Sequence, residues 1–334
     1  MYTNNSNIPL AMAVWLMHDE YDYVKTEGYI SATALMKPLR HIILGKRNKN
    51  AAPQDIESKI PTALGHSLHD SIEKAWVNGN HAVNMKKLGY PNEVVARILV
   101  NPTKEELDKF NGFAKPAEEA IAVYLEQRAT RKVVVNGITY IVGGKFDMVA
   151  DGIVMDNKST TAYTWVYGGK DDDYKLQLSI YKWLNPDKIK AEFGRINFIF
   201  TDWQRASARQ NPKYPQSRLE YKDIPLMSDI ETDNWVIEKL RLIQVHQDTP
   251  EPELPECTNE ELWIGDPEFK FFLKEETHKA GGKCTKNCAT MAEAKEYQAS
   301  KGGRGVIVTI VGQPKRCGYC PGFEVCTQKD KYFK

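Results

Sequence analysis

No cysteine precedes Cys257 in this chain of 334 residues, and all six thiols fall at or after it. Evenly scattered structural thiols, or a secreted disulfide framework, would not leave the longer part of a chain empty. The pattern points instead to a metal or cluster site in a reducing, cytoplasmic compartment. Long apolar runs are missing too. None approaches the roughly 18 residues that span a bilayer, so no membrane segment or membrane partner is expected. The stretch Ile8 to Met17 is apolar, but no Lys or Arg precedes it and Asp19 and Glu20 follow. A secretory leader is therefore not expected, and a buried element is. The absence of any Gly-x-x-x-x-Gly-Lys-Ser/Thr excludes a P-loop motor. Charge of one sign is lacking as well: the net charge is +1, so bulk charge selects no partner.

What is present is more pointed. In Gly144-Lys-Phe-Asp147-Met-Val-Ala-Asp-Gly-Ile-Val-Met-Asp156-Asn-Lys158, the Asp151-Gly152 pair is a strong two-residue hairpin signal between strand-forming runs. Such a turn pairs Ala150 with Ile153, Val149 with Val154 and Met148 with Met155. It sets Asp147 opposite Asp156, with Cβ atoms about 5 Å apart on one face. Lys158, two residues on, shares that face. Two adjacent carboxylates repel unless a cation lies between them, and hard oxygen ligands suit Mg²⁺ or Mn²⁺. Two acid-free basic clusters suit phosphate contacts or a solvated face. One holds Lys37, Arg40, Lys46, Arg47 and Lys49, the other Arg205, Arg209, Lys213 and Arg218.

The coarse order of elements is α/β. Helices are expected at Pro61 to Val77, with an apolar face of Leu64, Leu68, Ile72, Ala75 and Trp76, and at Pro91 to Val100, Thr103 to Phe110 and Pro116 to Arg128. His69 and Glu73 lie together on the first of these. A strand meander follows, with pieces at Lys132 to Val135, Ile138 to Val142, Phe146 to Ala150 and Ile153 to Asp156. A helix at Tyr174 to Leu184, a buried strand at Ile196 to Thr201 and a long helix at Glu231 to His246 come next. The stiff acidic stretch Pro250 to Glu256 marks a boundary. Beyond it lie a helix near Met291 to Ser300 and a strand at Val306 to Val311. The expected division is a helical, basic segment 1–60, a core 61–249 and a Cys-rich segment 250–334 packed on the core.

Asp147, then Asp156-Asn-Lys158, then Gln177-x-x-x-Tyr181 resembles the PD-(D/E)XK nuclease superfamily in its RecB-like branch. The resemblance extends to Gly65-x-x-x-His69, loosely to Glu126 before the meander, and to the terminal Cys317-x-x-Cys320-x5-Cys326, over about residues 60 to 330. It implies a restriction-endonuclease-like core, a small mixed sheet flanked by helices. It implies that Asp147 and Asp156 hold one or two Mg²⁺ (or Mn²⁺) ions and that His69 completes the metal shell. Asn157 would contribute a backbone carbonyl at most, and Lys158 would orient the attacking water. Gln177 and Tyr181 would position the lysine or the DNA backbone. The terminal thiolates imply a 4Fe-4S cluster, or alternatively Zn²⁺, that staples the segment to the core.

A fourth thiolate is needed. Relatives often take it from far upstream, where this chain has none; the candidates are Cys257, Cys284 and Cys288. Pro255-Glu-Cys257-Thr with Trp263 resembles a segment of phage-type members, which favours Cys257. The implied activity is DNase action on ends or single strands, in recombination, repair or DNA degradation in a bacterial or phage-infected cell, with a helicase or a single-strand-annealing protein as a possible partner. The rivals are a non-catalytic adaptor that binds DNA ends, and an endonuclease that works with a partner helicase.

Overall fold

The computed structural model describes residues 2–20, 22–48, 53–115, 118–168, 170–265 and 267–333. Lys49 and Pro116 lie outside them. The chain divides into two compact units, one of Met1–Lys37 and Pro53–Gln244, the other of Pro38–Ala52 and Val245–Lys334. Of the residues expected as an N-terminal segment, 38–48 fall in the second unit.

The first unit is built on seven strands: β1 (Tyr29–Ser31), β2 (Ile98–Val100), β3 (Ile121–Val135), β4 (Ile138–Ala150), β5 (Ile153–Thr160), β6 (Phe193–Phe200) and β7 (Leu219–Pro225). Their order across the sheet is β2-β3-β4-β5-β6-β7, and β1 pairs with the part of β4 that β5 leaves open. The pairs β2·β3, β1·β4 and β5·β6 are parallel and the rest antiparallel, so the sheet is mixed. Two tight turns fix its centre. Asn136-Gly137 joins β3 to β4 and Asp151-Gly152 joins β4 to β5, each with positive φ at both positions. That is the turn whose twist matches paired strands.

The second turn produces the expected register: Met148 faces Met155, Val149 faces Val154 and Ala150 faces Ile153. The ladder stops there, and Asp147 and Asp156 do not form the next pair. The Asp147 carboxylate instead accepts from the Asn157 amide at 2.8 Å.

Two helix expectations fail. Residues 121–128 belong to β3, which is held by twelve partners on β4 and three on β2. Glu118 and Glu119 imitate a helical first turn, but Ile121, Val123 and Leu125 alternate as a strand does, and pairing on both edges outweighs propensity. Likewise Pro91 to Val100 is a short helix, Asn92–Arg97, followed by β2. The helix Ile60–Trp76 forms as expected but buries no residue fully, and Leu64 is exposed.

The helix Asp171–Leu184 is the best-buried element, from Tyr174 and Gln177 to Leu184. Glycines let it approach the sheet. A Cβ on Gly144 of β4 would stand 2.9 Å from Leu184 Cδ1 and 3.0 Å from Tyr181 Cε1; one on Gly194 of β6 would stand 2.9 Å from Leu178 Cδ1. That close seat sets how deep Gln177 and Tyr181 reach.

In the second unit, Lys286–Cys288, Glu268–Phe272 and Val306–Ile310 form an antiparallel sheet beside the helix Met291–Ser300. The helix Leu39–Arg47 packs against the terminal cysteine loop, where Gly322 lies under Leu44 and Gly45 under Pro321. Part of the first basic cluster is therefore not free for phosphates. Arg40 is buried, pairs with Glu251 and donates to the Leu254 carbonyl; Arg47 donates to the carbonyls of His246 and Gln247. Among the described residues no helix is long and apolar enough to cross a membrane.

Candidate functional site

Three acids stand in file across three neighbouring strands. Glu126 of β3 lies between the pairs Leu125·Met148 and Gln127·Phe146, so it faces Asp147 of β4; continuing the β4·β5 register sets Asp147 toward Asp156. At both crossings the ladder pair is missing. Glu126 carries φ +50°, a left-handed conformation that costs a non-glycine residue roughly 1–2 kcal/mol. Strain of this kind persists where neighbouring structure holds it, often at a working site.

His69 enters from the helix Ile60–Trp76 and faces this file. Its Nδ1 lies 3.5 Å from Asp147 Oδ1 and 3.8 Å from Glu126 Oε1, and its Nε2 lies 3.1 Å from the Asn157 carbonyl. His69, Glu126 and Asp147 offer three ligand atoms all within 4.8 Å of one another. An octahedral Mg²⁺ at about 2.1 Å from each ligand places them roughly 3–4 Å apart, so a small closure suffices.

Asp156 stands at the end of the file and is 1 % exposed. Its Oδ1 accepts from Gln177 Nε2 at 3.2 Å, and Gln177 Nε2 also lies 2.9 Å from the Tyr181 hydroxyl. Its Oδ2 lies 2.6 Å from Lys158 Nζ yet receives no well-aligned hydrogen bond among the described residues. Lys158 Nζ in turn lies 3.5 Å from Gln177 Oε1. The amide thus ties the acid, the lysine and the tyrosine together.

Electrostatics record the crowding. The Glu126 carboxylate 3.8 Å away, helped by Asp147, raises the His69 imidazole to about 9 against the pull of burial. Burial first, and the charge of Asp156 second, raise the Asp147 carboxyl to about 7. Burial pushes Glu126 upward, but the neighbouring His69 and Lys145 outweigh it and hold the group below its ordinary value. For Lys158, burial acts downward and the Asp156 carboxylate more than offsets it. Without a metal, an imidazolium meets the charge of the acids. A divalent cation would do the same, and the donor set of carboxylates, one imidazole and one carbonyl fits a hard ion.

These residues line a cleft of about 540 Å³ with Trp15, His66, Asp70 and Lys145. Lys145 had not been expected. It lies 2.8 Å from Glu126 Oε2, and its sequence signal is its place two residues before Asp147, on the same strand face.

The second unit gathers thiols. Cys257, Cys317, Cys320 and Cys326 line one cavity with Arg40, Glu261 and Gln328. Gln328 clamps Cys257 through both backbone groups, at 2.9 and 2.8 Å. Arg40 Nε lies 3.3 Å from Cys326 Sγ. Burial first, then Glu261 and the thiols of Cys326 and Cys320, push Cys257 up to about 12. Cys284 and Cys288 lie elsewhere: Cys284 contacts Asn287, and Cys288 is buried on its strand. Of the flanking basic residues, Arg316 packs over Trp263 at 4.6 Å and Lys331 pairs with Glu256 at 2.5 Å.

No family model matches the chain, and no curated protein matches it. A solved structure titled "Crystal structure of SSO0001" aligns at TM-score 0.41 with 20% identity, over 69% of this chain and 81% of that one.

Proposed function

We propose that the chain is a divalent-metal-dependent nuclease that hydrolyses phosphodiester bonds of DNA at ends or in single strands. Its first unit would be a restriction-endonuclease-like core of the RecB-like PD-(D/E)XK kind. The observation that carries the reading is the file of Glu126, Asp147 and Asp156 on adjacent strands, with Lys158 ion-paired to the last.

His69, Glu126, Asp147 and Asp156 would hold Mg²⁺ or Mn²⁺. When bound, the ion would supply charge stabilisation at the scissile phosphate and a lowered pKa for the attacking water. Lys158 presents an ammonium beside Asp156, where it can orient a water by hydrogen bond and favour its ionised form. Gln177 holds that lysine and acid at fixed separation, and Tyr181 fixes Gln177. Cys257, Cys317, Cys320 and Cys326 would bind a 4Fe-4S cluster, with zinc the alternative occupant.

The test uses linear and closed-circular DNA with either metal. The expected result is loss of the linear form, survival of the circle and complete arrest by EDTA. Nicking of the circle would make the protein an endonuclease. Binding of ends without cleavage would make it an adaptor.

A further inference from the structure

The second basic cluster is not used by the site above. It forms the excursion between β6 and β7, residues 201–218. Arg205, Arg209, Lys213 and Arg218 are all exposed there, and no acid interrupts Gln204 to Arg218. The two flanking acids are engaged with backbone amides: Asp202 Oδ1 accepts from Ala162 at 2.7 Å, and Glu220 Oε1 from Ser217 at 2.9 Å. Nothing described neutralises the four cations.

The excursion is nevertheless built. Trp203 Nε1 donates to the Pro215 carbonyl at 2.8 Å, the Gln204 amide donates to the Tyr214 hydroxyl, and Gln216 donates to the carbonyls of Asn211 and Tyr214. Four like charges are held on a fixed frame, which costs free energy unless an anion is met there.

Aromatic rings stand alongside. The helix Ala162–Tyr167 is docked by Trp165, which packs edge-on against Phe198 and Phe200. Its opposite side presents Tyr163 and Tyr167, both exposed, with ring centroids 4.4 Å apart. The Asp202 bond to Ala162 and the Thr201 bond to the Thr160 carbonyl, at 2.9 Å, join this helix to the excursion. Both follow the same ends of the parallel strands β5 and β6. Thr160 lies only two residues beyond Lys158, about 7 Å along the strand.

From this juxtaposition we infer that the excursion 201–218 and the helix Ala162–Tyr167 form a platform for a single nucleic-acid strand leading away from the hydrolytic cleft. The cations meet its phosphates and the two tyrosines stack on its bases. This deepens the nuclease reading and rests on it for the choice of DNA.

The test is binding of a labelled single-stranded oligonucleotide across a range of salt concentrations. It uses Lys158→Ala protein in EDTA, so that no strand is cut. Replacing Arg205, Arg209 and Lys213 with Gln lowers the slope of log K against log salt by about 2, and affinity at 0.1 M salt by on the order of 10- to 100-fold. Replacing Tyr163 and Tyr167 with Ala weakens binding about fivefold or more and leaves the slope unchanged. All these side chains are exposed, so thermal stability should not move. Unchanged slope and affinity in the Gln protein would overturn the platform. So would retained DNA binding with loss of binding to anionic phospholipid vesicles, which would mark a membrane-facing surface. If no DNA is ever cut but binding follows these rules, the platform stands and hydrolysis falls; cutting with an unresponsive slope does the reverse.

Discussion

At Asp147 and His69 the protonation state and the metal compete for the same place. The folded pKa of His69 is raised to about 9, so its stabilising charge is fully present below the ordinary value of 6.5 and is lost as pH rises through 9. The folded pKa of Asp147 is also raised, to about 7, so the folded state binds that proton more tightly than the unfolded chain. Its effect likewise favours the fold at low pH and fades as pH climbs from about 4 to about 7. In the metal-free protein the stability these two groups contribute therefore falls as pH rises over this window. Mg²⁺ or Mn²⁺ binding displaces the same protons, so it tightens in the same direction. The gap in Tm between metal-loaded and metal-free protein should widen from pH 4 to pH 9. In Asp147→Asn protein it should be small at every pH. A gap that narrows with pH would contradict the assignment of these two side chains.

Elements decide whether those residues can meet. Gly144 is the hinge of the case, because the helix bearing Gln177 and Tyr181 rests directly on it. Gly144→Val pushes against Tyr181 and Leu184 and should cost about 1–3 kcal/mol of stability by overpacking. It should also lower any nuclease activity, since Tyr181 and Gln177 move together. Denaturant unfolding and a cleavage assay on the same sample check both parts. Unaltered activity in a destabilised protein would show that Gln177 and Tyr181 are not needed.

Legibility in the sequence differed by element for physical reasons. The Asp151-Gly152 turn is a local device with one preferred geometry, so three rungs of the β4·β5 ladder could be read from it alone. The next rung read from the same turn, Asp147 opposite Asp156, does not form as a ladder pair, and the Asp147 carboxylate accepts from the Asn157 amide. Glu126 was only loosely placed, because the segment from Pro116 read as a helix while its alternation was masked by Glu118 and Glu119. The three-residue strands β1 and β2 pair with β4 and β3, partners distant in sequence, which no local pattern announces. Among the thiols, spacing set three together but left Cys257, Cys284 and Cys288 open as the fourth. The resemblance around Pro255 to Trp263 favours Cys257, and the folded unit places it with the other three in one cavity.

For the molecule as a whole, the two units make separable predictions. If the thiol cavity holds a 4Fe-4S cluster, anaerobically purified protein is brown and absorbs broadly in the visible region. Cys257→Ala should lose that absorbance and the iron with it, whereas Cys284→Ala should keep both. Cys257 is high in pKa without metal, so a bound ion is what would keep it as a thiolate. Colourless protein with one zinc per chain, bound through the same four cysteines, would select the alternative. Colour lost in Cys284→Ala and kept in Cys257→Ala would overturn the four-thiol assignment.

Hydrolysis by the first unit is tested most directly by one comparison. End-labelled linear DNA is incubated with Mg²⁺ or Mn²⁺ and wild-type, Asp156→Ala or Lys158→Ala protein, each checked for an unchanged fold by its melting curve. The account predicts degradation by the wild type and a loss of at least 10²-fold in rate in both variants, the scale on which removal of a charge-stabilising group acts. Equal rates in all three proteins, or a wild type inert with both metals, would contradict it.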